Sequence, residues 1–298
     1  MTSTAVVDPP APRASAVRTA LDDVRPVLLS PPPMPKRPSR VAAAASTLGW
    51  ALVGIGVVIA AWAWGASQVK DLPTPAATLA ELRKLLAHPF HNGGPNDLGI
   101  GLQLLGSLDR VGRGFLLAVV IGVPLGLAIG ASKRMWKAAN PVIQLLRPVS
   151  PLAWFPIWLI SVKNAPKAAV IVIFITALWP ILINTAAGAA AIPQDQRNIA
   201  KVFRFRKRTY LRHVLVPNAL PSIVTGMRLS MGVAWMVIVA VEMLSGGAGV
   251  GFFVWDAYNA LNLARVVAAI VIIGVVGVIL DSAFLRLGRK VALPGATT

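Results

Sequence analysis

Cysteine is absent from the 298 residues of the chain, which excludes disulfide bonds, thiolate metal sites and cysteine nucleophiles. Charged residues are also scarce, at 13% of the chain against 56% apolar residues. Because a soluble domain carries a charged fraction of roughly a quarter, these charges could not cover a soluble surface. We therefore expect lipid to be the solvent of much of the chain. The three histidines include no pair at i, i+4 spacing, and we expect no metal site.

The net charge of +18 is large. A strongly basic chain can indicate a nucleic-acid-binding protein. Here, however, the Lys and Arg residues lie between apolar segments rather than on an aromatic-rich platform. We therefore attribute the charge to membrane topology and expect no nucleic-acid partner.

Residues 1–40 contain nine of the 24 prolines and no periodic apolar pattern. Such a segment cannot bury enough apolar surface to fold alone. No apolar run follows closely on basic residues near the start, as a signal peptide would require. We interpret residues 1–40 as a disordered, Pro-rich cytoplasmic tail.

Six apolar segments are long enough to cross a membrane, since about 20 helical residues traverse a hydrocarbon core of roughly 30 Å. The sequence therefore predicts an all-α integral membrane protein with about six transmembrane helices. The predicted spans are residues 46–66, 105–131, 141–162, 168–190, 221–244 and 266–287.

The segment between the first two spans, residues 71–104, has an amphipathic pattern instead. Its leucines recur on one helical face, whereas Glu81, Arg83 and Lys84 lie off that face. We expect a short helix lying on the external membrane surface. The predicted organisation is a first transmembrane helix in 41–70, this external segment, a transmembrane core in 105–290 that includes a cytoplasmic loop at 192–213, and a cytoplasmic tail in 291–298.

The distribution of basic residues predicts the orientation of the spans. If both termini are cytoplasmic, the segments on that side carry 19 Lys and Arg residues and the opposite segments carry eight. Cytoplasmic loops are enriched in basic residues. Both termini are therefore predicted to be cytoplasmic.

The loop at residues 192–213 places apolar residues among seven basic ones, and Pro193 can open a helix there. An amphipathic helix of this kind needs either a partner surface or anionic lipid headgroups. From the residues alone, these two interpretations are equally supported.

Charged and helix-breaking residues within the spans are costly, so each calls for a hypothesis. The third span contains four prolines and cannot form a straight helix. Arg147 lies within this span and Arg228 within the fifth span. Each of these arginines either extends its side chain to the lipid headgroups or faces an anion pathway. Trp154, Phe155, Trp158 and Trp179 line the same path or serve as packing residues. Glu242 is expected to form a structural ion pair or to dock an external protein, and Asp281 to pair with a base.

Glycines form two further patterns. Gly122, Gly126 and Gly130 share one face of the second span and predict close packing of a neighbouring helix. The glycine-rich run at residues 246–251 lacks the spacing of a phosphate-binding loop. We interpret this run as a turn or a tight backbone contact rather than as a nucleotide site.

The loop and its flanks resemble the cytoplasmic signature of importer-type ABC permeases. The resemblance rests on Asn-Ile-Ala at 198–200, Val-Pro-Asn-Ala-Leu-Pro at 216–221 and Thr-Gly-Met-Arg-Leu at 225–229. Asn198 stands where Glu is usual and Arg204 where Gly is usual, and these departures resemble the nitrate/bicarbonate/cyanate branch. Residues 147–154, 176–180, 183–185, 242–244 and 251–259 resemble the same branch, and the likeness covers roughly residues 72–290.

The resemblance implies an importer-type ABC permease fold and transport by alternating access. It implies a homodimer of permeases, two cytoplasmic ATPases that hold ATP and Mg, an external binding protein and a bacterial inner membrane location. The implied cargo is a small inorganic anion, with nitrate as the first candidate and bicarbonate, cyanate and sulfonates as alternatives. The rival interpretation from another class of protein is an ATP-independent secondary transporter. The residues expected to couple to the ATPase are Asn198, Ile199, Ala200, Phe203, Arg204 and Pro217. Those expected along the pathway are Arg147, Trp154, Phe155, Trp179, Asn184, Arg228 and Glu242.

Overall fold

The computed structural model describes residues 40–94 and 97–291, and the predicted tails lie outside this part of the chain apart from Arg40 and Val291. Within it the chain is helical, and the sole extended pairing is an isolated bridge between Asn92 and Leu98. The predicted all-α class is therefore confirmed.

The described residues form eleven α-helices, which we number in chain order. They are α1 Arg40–Gln68, α2 Pro75–Ala87, α3 Ile100–Ala131, α4 Lys133–Leu146, α5 Pro151–Val162, α6 Ala165–Ala190, α7 Gln194–Val202, α8 Lys207–Tyr210, α9 Val216–Ser245, α10 Val250–Asn259 and α11 Leu263–Val291. A π-helical turn, Leu211–Leu215, joins α8 to α9, so the segment Lys207–Ser245 is one continuous helix.

Five helical segments are long and apolar enough to cross a membrane, and the bent pair α4–α5 makes a sixth if it is counted as one broken span. The prediction of about six spans is confirmed, but most boundaries differ by a few residues or more, and the third span begins at Lys133 rather than at residue 141. Helix α3 begins at Ile100, so residues 100–104 belong to it rather than to the external segment. The fifth spanning helix begins at Lys207, so residues 207–213 are helical rather than part of a loop. Hydropathy marks the apolar part of a helix and misses the polar turns that extend it.

The chain divides into two units at Ala60, and the following description concerns residues 61–291. Helix α6 is central in this unit and packs most extensively against α3 and α9. A Cβ atom on Gly126 would lie 2.6 Å from Cβ of Thr185, and one on Gly130 would overlap the Ala186 carbonyl. The glycine face of α3 therefore meets α6 at close range, as predicted, because side chains there would hold the helices apart.

Helix α2 starts with Thr74, whose Oγ1 accepts a hydrogen bond from Ala77 N–H at 3.2 Å. The sequence places Glu81 off the face that carries the leucines of this helix, and it does not predict whether that side is buried. Glu81 is buried, because its carboxylate meets Lys84 at 3.2 Å and Arg265 of α11 at 3.4 Å. These two cations offset the cost of removing the carboxylate from water. Helix α2 thus packs on α11 through an ion-paired face.

Candidate functional site

The third span is broken, as its prolines predicted. Helix α4 ends at Leu146, and the Arg147 N–H donates to Ile143 O at 2.9 Å. Helix α5 starts at Pro151, whose ring cannot continue a preceding helix. The axes of α4 and α5 differ by 89°, so residues 147–150 form a sharp corner. Irregular backbone at membrane depth is tolerated where protein or a water-filled cavity surrounds it.

Arg147 borders a cavity of about 550 Å³ beside this corner, which we call the Arg147 cavity. Trp136, Asn140 and Gln144 of α4 and Ile183 of α6 also line it. Within the described residues Arg147 takes part in no ion pair. Its guanidinium and the two side-chain amides supply N–H donors around one space. Such a group of donors with one fixed positive charge can bind a small anion.

The aromatic residues predicted along the pathway are divided between two places. Trp179 is half-buried beside Ile143 and Ile183, next to the Arg147 cavity. Trp154 packs instead against the main core, and Phe155 is 2% exposed within that core. The expectation that Phe155 lines an open path does not match this placement, because α5 turns that face toward α6.

Asn184 and Arg228 both have partners inside the chain. The Asn184 side-chain amide donates to Pro180 O one turn back at 2.8 Å. The Arg228 guanidinium donates to both carboxylate oxygens of Asp281 on α11, at 2.6 and 2.8 Å. Two parallel bonds of this kind fix the relative position of α9 and α11. The predicted pairing of Asp281 with a base is confirmed, and its partner is Arg228.

Glu242 is 2% exposed and is the acceptor in a buried network. The Ser107 hydroxyl donates to it at 2.8 Å, Gly251 N–H at 3.0 Å and Arg110 Nη1 at 2.5 Å. The pair of Arg110 and Glu242 is the structural ion pair that the sequence analysis gave as one of two alternatives for Glu242. It encloses the carboxylate, so Glu242 presents no free charge to a pathway in this conformation. About 21 Å of helix separates Glu242 from Arg228, and the two do not form one site.

The same network holds the glycine-rich loop, residues 246–251. Gln103 Oε1 accepts from Gly249 N–H at 2.5 Å, Ser107 Oγ accepts from Val250 N–H at 2.9 Å, and Arg110 Nη2 donates to Ala248 O at 2.6 Å. The glycine-rich loop is therefore a turn anchored to α3, as the sequence predicted.

Sequence reasoning missed the three α3 residues of this network, Gln103, Ser107 and Arg110. Their spacing of four and three residues places them on one helical face. A polar stripe of this kind on an otherwise apolar span was the available signal, and its partner could not be identified without the fold.

Helix α7 exposes apolar side chains on one side. Ile199, Val202 and Phe203 are 52%, 78% and 71% exposed, whereas Ala200 is 7% exposed. The prediction that Ala200 faces a partner subunit is therefore wrong, because its own chain covers it. The exposed face consists of Ile199, Val202 and Phe203, and Asn198 is exposed beside them.

Two contacts connect α7 to the spanning helices. Arg197 donates to the carbonyls of Ala189, Ala190 and Ile192 at 2.8–3.2 Å, which caps the end of α6. Asn218, one residue after Pro217 in the first turn of α9, donates to Gln196 Oε1 at 2.8 Å. A displacement of α7 would therefore be transmitted to both α6 and α9. Neither contact was predicted from the sequence.

Arg204 follows α7 with φ +48°, in the left-handed region. Its N–H donates to Lys201 O at 3.1 Å, and Phe205 N–H donates to Ala200 O at 2.9 Å. Glycine adopts this conformation without the steric cost that a side chain brings. Glycine would therefore fit the backbone at position 204. This agrees with the resemblance described above, in which ABC permeases usually carry Gly at this position.

Comparison with known proteins identifies related chains. Residues 119–293 match the family described as binding-protein-dependent transport system inner membrane component. The nitrate import permease protein NrtB of Synechocystis sp. is 44% identical over 77% of this chain and 84% of its own length. The bicarbonate transport system permease protein CmpB of Synechococcus elongatus is 43% identical over 77% and 84%. The putative aliphatic sulfonates transport permease protein SsuC of Bacillus subtilis is 32% identical over 81% and 87%.

Solved structures share the fold at low sequence identity. The inward-facing MetNI methionine ABC transporter matches with a TM-score of 0.57 at 17% identity, over 63% of this chain and 94% of that one. An amino acid ABC transporter matches with a TM-score of 0.54 at 16% identity, over 63% and 92%. Together with the helical spans and the family match, these comparisons show that the chain belongs to the inner membrane permease components of binding-protein-dependent ABC transport systems.

Proposed function

We propose that the chain is the permease subunit of an ATP-driven importer of a small inorganic anion, and that this anion is nitrate. The observation that carries the proposal is the 44% identity to a nitrate import permease over 77% of the chain. The Arg147 cavity supports it, because a planar monovalent anion must exchange part of its hydration for N–H donors or a fixed positive charge. Arg147, Asn140 and Gln144 supply both.

Energy for transport enters through α7 in this proposal. Two partner ATPases, which hold ATP and Mg, dock on the exposed face formed by Ile199, Val202 and Phe203. Their closure moves α7, and the contacts of Arg197 and Asn218 pass the motion to α6 and α9. Because α6 carries Ile183 at the Arg147 cavity, this movement can change access to the anion.

The complete transporter in this proposal contains a second permease copy and an external binding protein that delivers the anion. The permease lies in a bacterial inner membrane with both termini in the cytoplasm, which the 19-to-8 distribution of basic residues supports. Bicarbonate is the second candidate cargo, because CmpB is 43% identical over the same share of the chain. Cyanate and sulfonates follow, the latter through the 32% identity to SsuC.

Anion uptake into liposomes that contain the complete complex tests the proposal. Nitrate, bicarbonate, cyanate and a sulfonate are each supplied with and without internal ATP. We expect ATP-dependent uptake with nitrate preferred. Uptake that does not depend on ATP would identify a secondary transporter instead, and preference for another anion would reassign the cargo.

Arg147 variants test the pathway in the same assay. Arg147→Gln should reduce nitrate uptake tenfold or more, since losing about 1.4 kcal/mol of charge interaction has that effect. Arg147→Lys keeps the charge but loses the planar guanidinium, and should do less harm. Lys137→Gln removes one charge from the same helix outside the cavity and is the matched control. Equal uptake in all variants at equal expression would make Arg147 a headgroup anchor.

A further inference from the structure

A second cavity, of about 550 Å³, lies where α3 ends and α4, α7 and α8 meet. We call it the basic cavity, because Lys133, Arg197, Lys201, Arg204 and Lys207 all line it. No carboxylate is among its lining residues, whereas the Gln194 amide and the Tyr210 hydroxyl are. The cavity therefore gathers positive charge and neutral hydrogen-bonding groups in one place.

The charge of this cavity is not compensated within the described chain. None of the ion pairs found among residues 61–94 and 97–291 includes Lys133, Lys201, Arg204 or Lys207. Arg197 alone is engaged, with backbone carbonyls at the end of α6. Several like charges around one space repel each other, and an anion placed between them removes that repulsion.

The backbone at Arg204 adds a separate observation. This residue contributes a cation to the basic cavity from the left-handed conformation, with φ +48°. A left-handed residue commonly ends a helix, and at this helix end it carries a cation that lines the cavity. Glycine would fit this backbone but would remove the cation.

The position of the cavity in the fold indicates the kind of anion. Lys133 follows the last residue of the spanning helix α3 by two positions, and Lys207 and Tyr210 lie in the first turn of the continuous helix Lys207–Ser245. The cavity thus lies at the ends of two helices that are long and apolar enough to span a membrane, and we expect lipid headgroups near such ends. Basic pockets at this level bind phosphate-bearing headgroups. Ala131 and Phe205, which also line the cavity, offer apolar surface beside the cations.

We propose that the basic cavity binds a phosphate group, and that an anionic phospholipid headgroup supplies it. Lys133, Lys201, Arg204 and Lys207 contact the phosphate oxygens, and Tyr210 and Gln194 donate hydrogen bonds. The lining combines residues of α4, α7 and α8. A bound headgroup therefore contacts both α7 and the start of the continuous helix Lys207–Ser245. This site is separate from the Arg147 cavity and does not depend on which anion is transported.

Lipid titration of the full chain in detergent tests this site. Short-chain phosphatidylglycerol, phosphatidylcholine and inorganic phosphate are the probes, and the midpoint of thermal unfolding is followed at each concentration. Two variants with the same loss of three charges are compared. The cavity triple is Lys133→Gln, Lys201→Gln and Lys207→Gln, and the control triple is Arg134→Gln, Arg206→Gln and Arg208→Gln, none of which lines the cavity.

We expect phosphatidylglycerol, but not phosphatidylcholine, to raise the midpoint. The cavity triple should weaken the apparent affinity for phosphatidylglycerol at least tenfold, and the control triple less than twofold. The same contrast between the triples with inorganic phosphate alone would support the phosphate site and assign its source to free phosphate.

Equal weakening in both triples would overturn the proposal, because only general surface charge would then be acting. Unchanged affinity in the cavity triple would overturn it as well and leave the cavity to an acidic protein partner. The unliganded midpoint of each variant controls for folding. If the cavity triple does not fold, the single variant Lys201→Gln is compared with Arg208→Gln, and the same contrast is required.

Discussion

Removal of the Arg110 guanidinium should destabilise the permease more than loss of any exposed ion pair. In Arg110→Met the Glu242 carboxylate, 2% exposed, would keep its bonds from Ser107 and Gly251 but lose its only opposite charge among the described residues. Leaving a buried charge unpaired costs about 3–5 kcal/mol. The bond from Arg110 to the Ala248 carbonyl, which anchors the glycine-rich loop, is lost as well.

The assay is thermal unfolding of the purified chain in detergent. A loss of about 3–5 kcal/mol corresponds to a midpoint lower by roughly 6–20 °C on the scale of domains of similar size. Arg113→Met is the matched control, because Arg113 lies one turn along α3 and pairs with Asp109 at 2.9 Å in an exposed position. Exposed pairs contribute about 0–1 kcal/mol, so this variant should unfold within a few degrees of the parent.

The double variant Arg110→Met with Glu242→Gln separates the ion pair from simple loss of packing. Replacing the carboxylate by a neutral amide removes the unpaired charge that Arg110→Met creates. The double variant should therefore be more stable than the sum of the two single effects predicts, by about 1–3 kcal/mol. Additive effects, or equal midpoints for Arg110→Met and Arg113→Met, would refute the reasoning.

Three further predictions concern packing, backbone conformation and orientation. Gly130→Ala should cost about 1–3 kcal/mol, because its Cβ would overlap the Ala186 carbonyl, whereas Gly112→Ala, with nothing within 4 Å, should be neutral or stabilising in thermal unfolding. Arg204→Gly should be more stable than Arg204→Ala by about 1 kcal/mol, and the reverse order would contradict the left-handed backbone at that residue. In intact cells an impermeant thiol reagent should label Ser67→Cys but not Thr297→Cys, since the parent has no cysteine, and the opposite pattern would invert the topology.

The features that the sequence predicted correctly are local along the chain. A run of about 20 apolar residues implies a helix across lipid wherever the remainder of the chain lies. The corner at residues 147–150 follows in the same way, because proline excludes a continuous helix by its own covalent structure. The close approach of α3 to α6 was also predictable from glycines four residues apart on one face.

The errors concern side chains whose environment depends on a distant segment. Glu81 was placed off the leucine face of α2 with no partner predicted, and it is buried beside Arg265 of α11. Ala200 was expected to face a partner, and it is covered by its own chain. An amphipathic pattern shows that a helix has two faces, but it does not show which neighbours each face meets.

The sequence by itself therefore determined that this protein spans a membrane with one broken span, since span length and proline position depend on neighbouring residues, and its loop signature added the resemblance to ABC permeases. Only the tertiary structure decided how the charges within the spans are paired. Arg110 meets Glu242 across 132 positions, and Arg228 meets Asp281 across 53. A charge in an apolar span must be paired or hydrated, but the sequence does not say by what. Folding determines the partner, because it brings together faces of helices that are far apart along the chain.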